Sequence, residues 1–212
     1  MAAKQEVTEI RVNLKRPDRR SIYLNGDYAF SISEGIFFER GITVGDHLTD
    51  EQIDFLLAAD KDEKIKEAAL RLLSYRPRSI WELTDRLRRK GWGEREVAPV
   101  IRDLEEKGYL DDREFANMLA RDRIQRKFLG PRALKHELMK AGVPGDLIDE
   151  VLDDTYRQTP PESLIRSLLS KRGIDPGKPV AAKEKTRIVN LLKRRGFSWS
   201  DMEPVVSRLK TD

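Results

Sequence analysis

Two rhythms of apolar residues run along the chain. Near the start, Ile10, Val12 and Leu14 alternate with Arg11, Asn13 and Lys15, the period of two expected of a half-buried strand. Asn25-Gly26 separates Ser21–Leu24 from Asp27–Ile32. That pair predicts a two-residue hairpin, because both central residues of such a turn need φ > 0, and it sets Tyr23 opposite Tyr28. Ser33 is placed to cap a short helix ending at Gly41. Thr49 with Gln52 has capping-box spacing and opens a further helix to about Ala59. Tyr23, Tyr28 and Phe30 offer faces for stacking bases, but cross-strand aromatic pairs more often stabilise the hairpin that carries them.

From Lys61 the pattern becomes helical and repeats. Gly91, Gly142 and Gly196 lie 51 and 54 residues apart. Eight and four residues before each glycine stand Leu83 and Leu87, Leu134 and Leu138, Ile188 and Leu192. One residue after comes Trp92, Val143 or Phe197. Six, nine and ten residues after come Val97, Val100 and Ile101, then Ile148, Val151 and Leu152, then Met202, Val205 and Val206. Each glycine reads as a helix C-cap, where αL geometry favours glycine. A further helix precedes each unit, at 64–75, 114–127 and 162–172, so every unit is three helices of about 12–15 residues, each roughly 20 Å long.

The pattern predicts a mainly α chain with three tandem three-helix repeats, winged-helix-like or helix-turn-helix-like, in an elongated array. A small N-terminal β-hairpin or β-meander with short helices precedes them. The expected boundaries are 1–60 for the N-terminal region and 61–110, 111–157 and 158–212 for the repeats. Residues 174–180, with Asp-Pro-Gly-Lys-Pro, form the one long connection expected.

Composition narrows the chemistry. The 212 residues are 39% hydrophobic and 37% charged, against an ordinary charged share of about a quarter. Cysteine is absent, which removes disulfides, thiolate metal sites and cysteine nucleophiles. The two histidines, His47 and His136, are far apart in sequence. No apolar run approaches the roughly 20 residues of a bilayer span, and Met1–Thr8 has no secretory character, so a cytoplasmic protein without a membrane partner is expected.

Charge is uneven. Residues 1–60 hold 7 Lys/Arg against 11 Asp/Glu, and residues 61–212 hold 34 against 26, so a polyanion or an acidic protein surface suits the C-terminal part. The acids themselves read as helix caps. Ser79 with Glu82, Asp111 with Glu114, Thr159 with Glu162 and Ser200 with Glu203 have capping-box spacing, while Pro131 and Pro160 fit first helical positions. Asp111-Asp112 has no third ligand at a metal-binding spacing. No catalytic site, metal or cofactor is expected.

A three-helix unit with a basic middle helix resembles DNA readers of the helix-turn-helix and winged-helix type. Arg88-Arg89-Lys90 precede Gly91, Lys193-Arg194-Arg195 precede Gly196, and Lys140 holds the matching stretch of the second unit. Cations at a helix C-terminus also complement the helix dipole, and the i,i+4 pairs Glu82–Arg86 and Asp85–Arg89 neutralise part of the charge. Ser79-Ile80-Trp81-Glu82 is a poor base-reading set, and no strand wing follows any third helix. Electrostatic contact therefore fits better than sequence-specific binding. Arg76, Arg78, Arg121, Arg123 and Arg126 are further candidates for contact.

The segment Leu73-Ser74-Tyr75-Arg76-Pro77-Arg78-Ser79, followed by Glu82-Leu83, Leu87 and Lys90-Gly91, resembles the first repeat of the RecX recombination regulators. Tyr109-Leu110-Asp111-Asp112-Arg113-Glu114-Phe115-Ala116 and Gly130-Pro131, followed by Glu137-Leu138, resemble that family's second repeat. Tyr23-Leu24-Asn25-Gly26-Asp27-Tyr28-Ala29-Phe30 resembles the N-terminal region of its longer members, and the third repeat is similar in pattern. The resemblance implies a monomeric, non-enzymatic regulator, usually an inhibitor, of the RecA recombinase. Such a protein acts from within the groove of RecA–DNA filaments, binds single- or double-stranded DNA weakly and without sequence preference, and modulates recombination, repair and the SOS response. It also implies that Tyr75 and Pro77 close a helix, that Phe115 is core, and that Arg76 and Arg78 reach a partner. The alternative is a winged-helix or helix-turn-helix transcription regulator.

Overall fold

The computed structural model describes residues 4–175 and 179–209. Its first strands are β1 (Lys4–Val12), β2 (Arg19–Leu24) and β3 (Asp27–Ser33); α1 (Glu34–Arg40) and β4 (His47–Thr49) follow. The four strands make one antiparallel sheet in the order β3-β2-β1-β4. At the hairpin turn Asn25 has φ 51° and Gly26 φ 94°, and Tyr23 pairs with Tyr28, their rings meeting edge to face at 5.8 Å. The first strand lies earlier than its alternation suggests: Val7 is buried, whereas Val12 and Leu14 are exposed. The chain leaves the sheet after Val12, because the Asn13 side chain accepts the N–H groups of Lys15 and Arg16 and folds a local turn.

Ser33 caps α1 by accepting the Ile36 N–H, and Gly41 ends it in the left-handed region. Thr49 and Gln52 exchange the two capping-box bonds, at 2.8 and 3.3 Å. The helix they open is α2 (Asp50–Tyr75), one unbroken element where two shorter helices were expected. No glycine or proline stands between Gly45 and Pro77, so nothing local breaks it. Asp60 sits inside it with its carboxylate buried. That carboxylate accepts both Arg19 Nη atoms, at 3.0 and 2.8 Å, and the Ser33 N–H at 2.8 Å, joining β2 and the end of β3 to α2.

The remaining helices are α3 (Ile80–Arg89), α4 (Glu94–Glu106), α5 (Asp112–Lys127), α6 (Pro131–Lys140), α7 (Gly145–Gln158), α8 (Pro161–Lys171), α9 (Ala182–Arg194) and α10 (Trp199–Val206). The chain is mainly α, as its periodicity predicts. It divides into two compact units: the residues through Leu72 with Leu87–Val100, and Leu73–Arg86 with the described residues from Ile101 onward. In the first, Ile22, Phe30, Ile32, Leu48 and Leu56 belong to one buried cluster under the sheet. In the second, a continuous core runs from Phe115 to Leu209. No helix among the described residues is long and apolar enough to cross a membrane.

The glycine register holds in detail. Leu83, Leu87, Leu134, Leu138, Ile188 and Leu192 are all fully buried or nearly so, as are Val97, Ile148, Val151, Met202 and Val205. Gly91, Gly142 and Gly196 have φ of 99°, 78° and 85°. After α6 the Val143 N–H reaches the Leu138 carbonyl and the Gly142 N–H that of Met139; after α9 Phe197 and Gly196 bond Leu192 and Lys193 in the same way. These are Schellman ends, and Val143 and Phe197 pack back as apolar plugs.

Some caps move. Pro160 is the N-cap of α8 and Pro161 its first residue, so the proline expected at Pro160 shifts by one, and Glu162 bonds Arg166 instead of completing a box with Thr159. The capping box of α10 is Ser198–Asp201 in place of Ser200–Glu203. Ser79 caps α3 by accepting the Glu82 N–H, but the Glu82 carboxylate turns to arginines. Residues 176–178 of the long connection lie outside the described residues.

Two of the three glycines have a second role. The first turn of α3 lies against the end of α6: the Ser79 hydroxyl donates to the Ala141 carbonyl, and a Cβ on Gly142 would fall 2.6 Å from Trp81. The first turn of α6 lies against the end of α9 in the same manner. Gly130 N–H donates to the Arg195 carbonyl at 2.8 Å, Arg132 N–H to that of Gly196, and a Cβ on Gly196 would fall 2.3 Å from the Ala133 nitrogen. Each middle helix thus starts on the glycine end of the next. Gly91 has no middle helix before it, and a Cβ there would meet nothing within 4 Å.

Candidate contact surfaces

The paired acids Asp111 and Asp112 are both occupied at helix starts. Asp111 accepts the N–H groups of Arg113 and Glu114 and starts α5. Asp112 accepts the Ile80 N–H at 2.8 Å; burial, with Asp111 beside it, pushes its carboxyl above the usual range. The Tyr156 hydroxyl donates to the Leu129 carbonyl at 2.8 Å and burial pushes it up. These groups hold the ends of helices together.

The cations differ in burial and in what holds them. Arg78 is buried and ion-paired to Glu82. Arg195 sends its guanidinium to the Lys127 carbonyl, within the α6–α9 junction. Arg123 is held between Asp122 and Glu137. Arg76 bonds Glu82 at 2.5 Å, and Arg126, whose side chain is 81% exposed, bonds Asp122 at 2.8 Å. Arg88 stands 4.0 Å from Glu94; Arg89, Lys90 and Arg121 are exposed.

Two surfaces emerge. On α9, Arg187, Asn190, Lys193 and Arg194 line an open concavity of about 460 Å³ without a carboxylate in its wall. None of the three cations is in an ion pair among the described residues, so no carboxylate neutralises them at contact distance. Arg187 escaped the sequence reading, which followed the contiguous run Lys193-Arg194-Arg195. The signal was helical spacing: 187, 190 and 194 share one face, and the adjacent Arg195 turns to the junction.

The second surface is a groove of about 1020 Å³ between the start of α3, α5 and α6. Trp81, Phe115, Met118 and Leu119 form its apolar part, with Trp81 54% and Met118 42% exposed. Its carboxylates are Glu82, Asp122 and Glu137. Burial alone would raise the Glu82 carboxyl, yet hydrogen bonds from Arg76 and Arg86 hold it below the usual carboxylate range. The Arg123 guanidinium lowers Glu137 likewise. Arg76, Arg123 and Arg126 are brought together here; the cations of α9 are not part of it.

Comparison with known proteins follows the same division of the chain. The family described as the regulatory protein RecX N-terminal domain matches residues 5–49. Those described as the RecX first and second three-helix domains match residues 66–104 and 111–152. The chain is 30% identical over 212 residues to the regulatory protein RecX of Oceanobacillus iheyensis, covering 98% of this chain and 78% of that protein. It is 27% identical to that of Clostridium botulinum strain Eklund 17B, covering 95% and 94%. Among solved structures, a crystal structure of a regulatory protein RecX superimposes with a TM-score of 0.73 at 26% identity, covering 96% of this chain and 99% of the other. The structure of RecX from Lactobacillus salivarius, at 24% identity and a TM-score of 0.58, has the same fold over 71% of this chain.

Proposed function

Because this chain belongs to the RecX family of regulatory proteins, we propose that it regulates the RecA recombinase without catalysis of its own. In this reading it binds RecA and RecA–DNA filaments as a monomer in the cytoplasm, without a cofactor, and restrains recombination, repair and SOS activities. The observation that carries the DNA-facing part is the carboxylate-free face of α9, where Arg187, Lys193 and Arg194 stand unpaired among the described residues around Asn190. Cations without competing carboxylates suit contact with phosphates. Arg88, Arg89, Lys90 and Arg121 are exposed and add to the attraction.

The operator-reading alternative loses ground at α3 and α6 on packing. A helix-turn-helix reader inserts the N-terminal residues of its middle helix into the major groove. Here the start of α3 is engaged by Ala141, Asp112 and Gly142, and the start of α6 by Arg195 and Gly196.

Changing Arg187, Lys193 and Arg194 together to Gln is expected to flatten the log–log dependence of DNA binding on salt by up to about one unit per lost phosphate contact. The weakening should be equal across DNA sequences. Helix α9 should persist, since Gln is a good helix former, with up to about 1 kcal/mol lost for each cation that complements the helix end. An unchanged salt slope with a lowered melting temperature would make these residues structural and place the DNA contact elsewhere.

A further inference from the structure

We propose that the groove between the start of α3, α5 and α6 is a docking slot for an acidic protein segment carrying a bulky apolar side chain. The charge balance around it is the first argument. Three carboxylates, Glu82, Asp122 and Glu137, are shared by a larger number of cations. Arg76 and Arg86 converge on Glu82 above the buried Arg78, Arg123 and Arg126 on Asp122, and Arg123 and Lys127 on Glu137. Lys140 lines the groove without an ion pair among the described residues. Arginines that share one carboxylate keep donor capacity for incoming ones, since each guanidinium carries five N–H groups.

The apolar part is the second argument. Trp81 and Met118 leave large apolar surfaces open inside a concave wall to which the buried Phe115 also contributes. Trp81 packs closely on the glycine end of α6, where its Cβ and ring occupy the space that any side chain at position 142 would need. An exposed indole, a methionine and a rim of arginines are the residue types enriched at the centres of protein interfaces. The volume, about 1020 Å³, is at the upper end of ordinary ligand clefts and fits a short segment with one anchoring side chain.

The same observations disfavour nucleic acid here. Single-strand grooves combine successive aromatic platforms with an uninterrupted cationic track. This groove has one exposed indole, and its carboxylates lie in the wall that phosphates would follow. The α9 face has the opposite character. Identifying RecA as the carrier of the segment rests on the reading given under Proposed function; the chemistry of the slot does not.

The test uses two exposed positions, Trp81→Ala and Arg126→Glu, in the full chain. Two fluorescent peptides serve as probes, one with a central Phe between Asp and Glu residues and its counterpart with Lys in their place, alongside a single-stranded oligonucleotide. Wild type should bind the acidic peptide saturably and in preference to the basic one. Each variant should lose roughly tenfold or more of that affinity with oligonucleotide binding unchanged, Arg126→Glu at an unchanged melting temperature and Trp81→Ala still folded, with only the small loss of stability that its packing against Gly142 implies. No saturable binding, equal binding by wild type and Arg126→Glu, or a loss of oligonucleotide affinity in Trp81→Ala would each overturn the slot. RecA–DNA filaments are then added to the same three proteins. If RecA carries the segment, the variants lose filament affinity in parallel; wild type that binds the acidic peptide but no filament overturns the RecA reading and leaves the slot standing.

Discussion

Replacing Gly196 by alanine is expected to cost about 3 kcal/mol or more, whereas the same change at Gly91 costs about 1 kcal/mol. Both glycines have left-handed φ, 85° and 99°, so both substitutions share a strain of about 1 kcal/mol. They differ in what the new methyl group meets. At Gly196 it would stand 2.3 Å from the Ala133 nitrogen and 2.4 Å from the Ala133 Cβ, and backbone cannot rotate aside. The α6–α9 junction must then open, stretching the bonds from Gly130 and Arg132 to the Arg195 and Gly196 carbonyls, and overpacking of that kind costs typically 1–3 kcal/mol, occasionally more. At Gly91 the methyl group enters open space. Denaturant unfolding of the two variants measures the difference; equal losses would mean that the glycine ends act as caps alone.

Asp60→Ala is expected to destabilise the N-terminal unit by about 3–5 kcal/mol, as removal of one partner from a buried ion pair does. It would leave Arg19, itself buried, without its carboxylate and the Ser33 N–H without its acceptor. Removing both charges as Arg19→Met with Asp60→Leu should recover part of the loss. The pair also sets a pH dependence. Burial opposes ionisation of Asp60, but hydrogen bonds from Arg19, Lys64 and the Ser33 N–H outweigh it and hold the carboxyl below its ordinary value. A depressed carboxyl contributes stability that is present above its unfolded value, about pH 4, and is lost as pH falls through the lower folded value. Acid unfolding of wild type should therefore steepen below about pH 4, and Asp60→Asn should flatten that limb. Identical acid limbs would exclude Asp60 as the cause.

What the sequence makes legible here is local and periodic. Asn25-Gly26 needs only its own backbone preferences to specify the hairpin, and Ser33 with Gly41 brackets a helix from caps alone. The repeat is read because three glycines fix the phase of six buried leucine and isoleucine positions before them. What stays hidden depends on partners distant in sequence. Arg19 and Asp60 are 41 positions apart; each looks like a surface charge until strand and helix meet. The unbroken α2 is consistent with the absence of a glycine or proline between Gly45 and Pro77. The glycines' part at the junctions is a property of the neighbouring repeat, so periodicity finds their αL geometry and misses what they touch.

The candidate site shows the same limit. A run of cations marks a basic surface, but only the fold decides that Arg78 and Arg195 turn inward while Arg187 joins Lys193 and Arg194 on one open face. The Trp81 groove draws on three helices from two repeats, and no sequence window contains it.

The proposed role is tested most directly by ATP hydrolysis by RecA on single-stranded DNA, followed as this protein is titrated in. Hydrolysis should fall with added protein, and the Arg187, Lys193 and Arg194 to Gln variant should need a higher concentration to reach the same fall. A hydrolysis rate that stays constant across the titration, with the protein folded throughout, would contradict the reading of this chain as a restraint on RecA filaments.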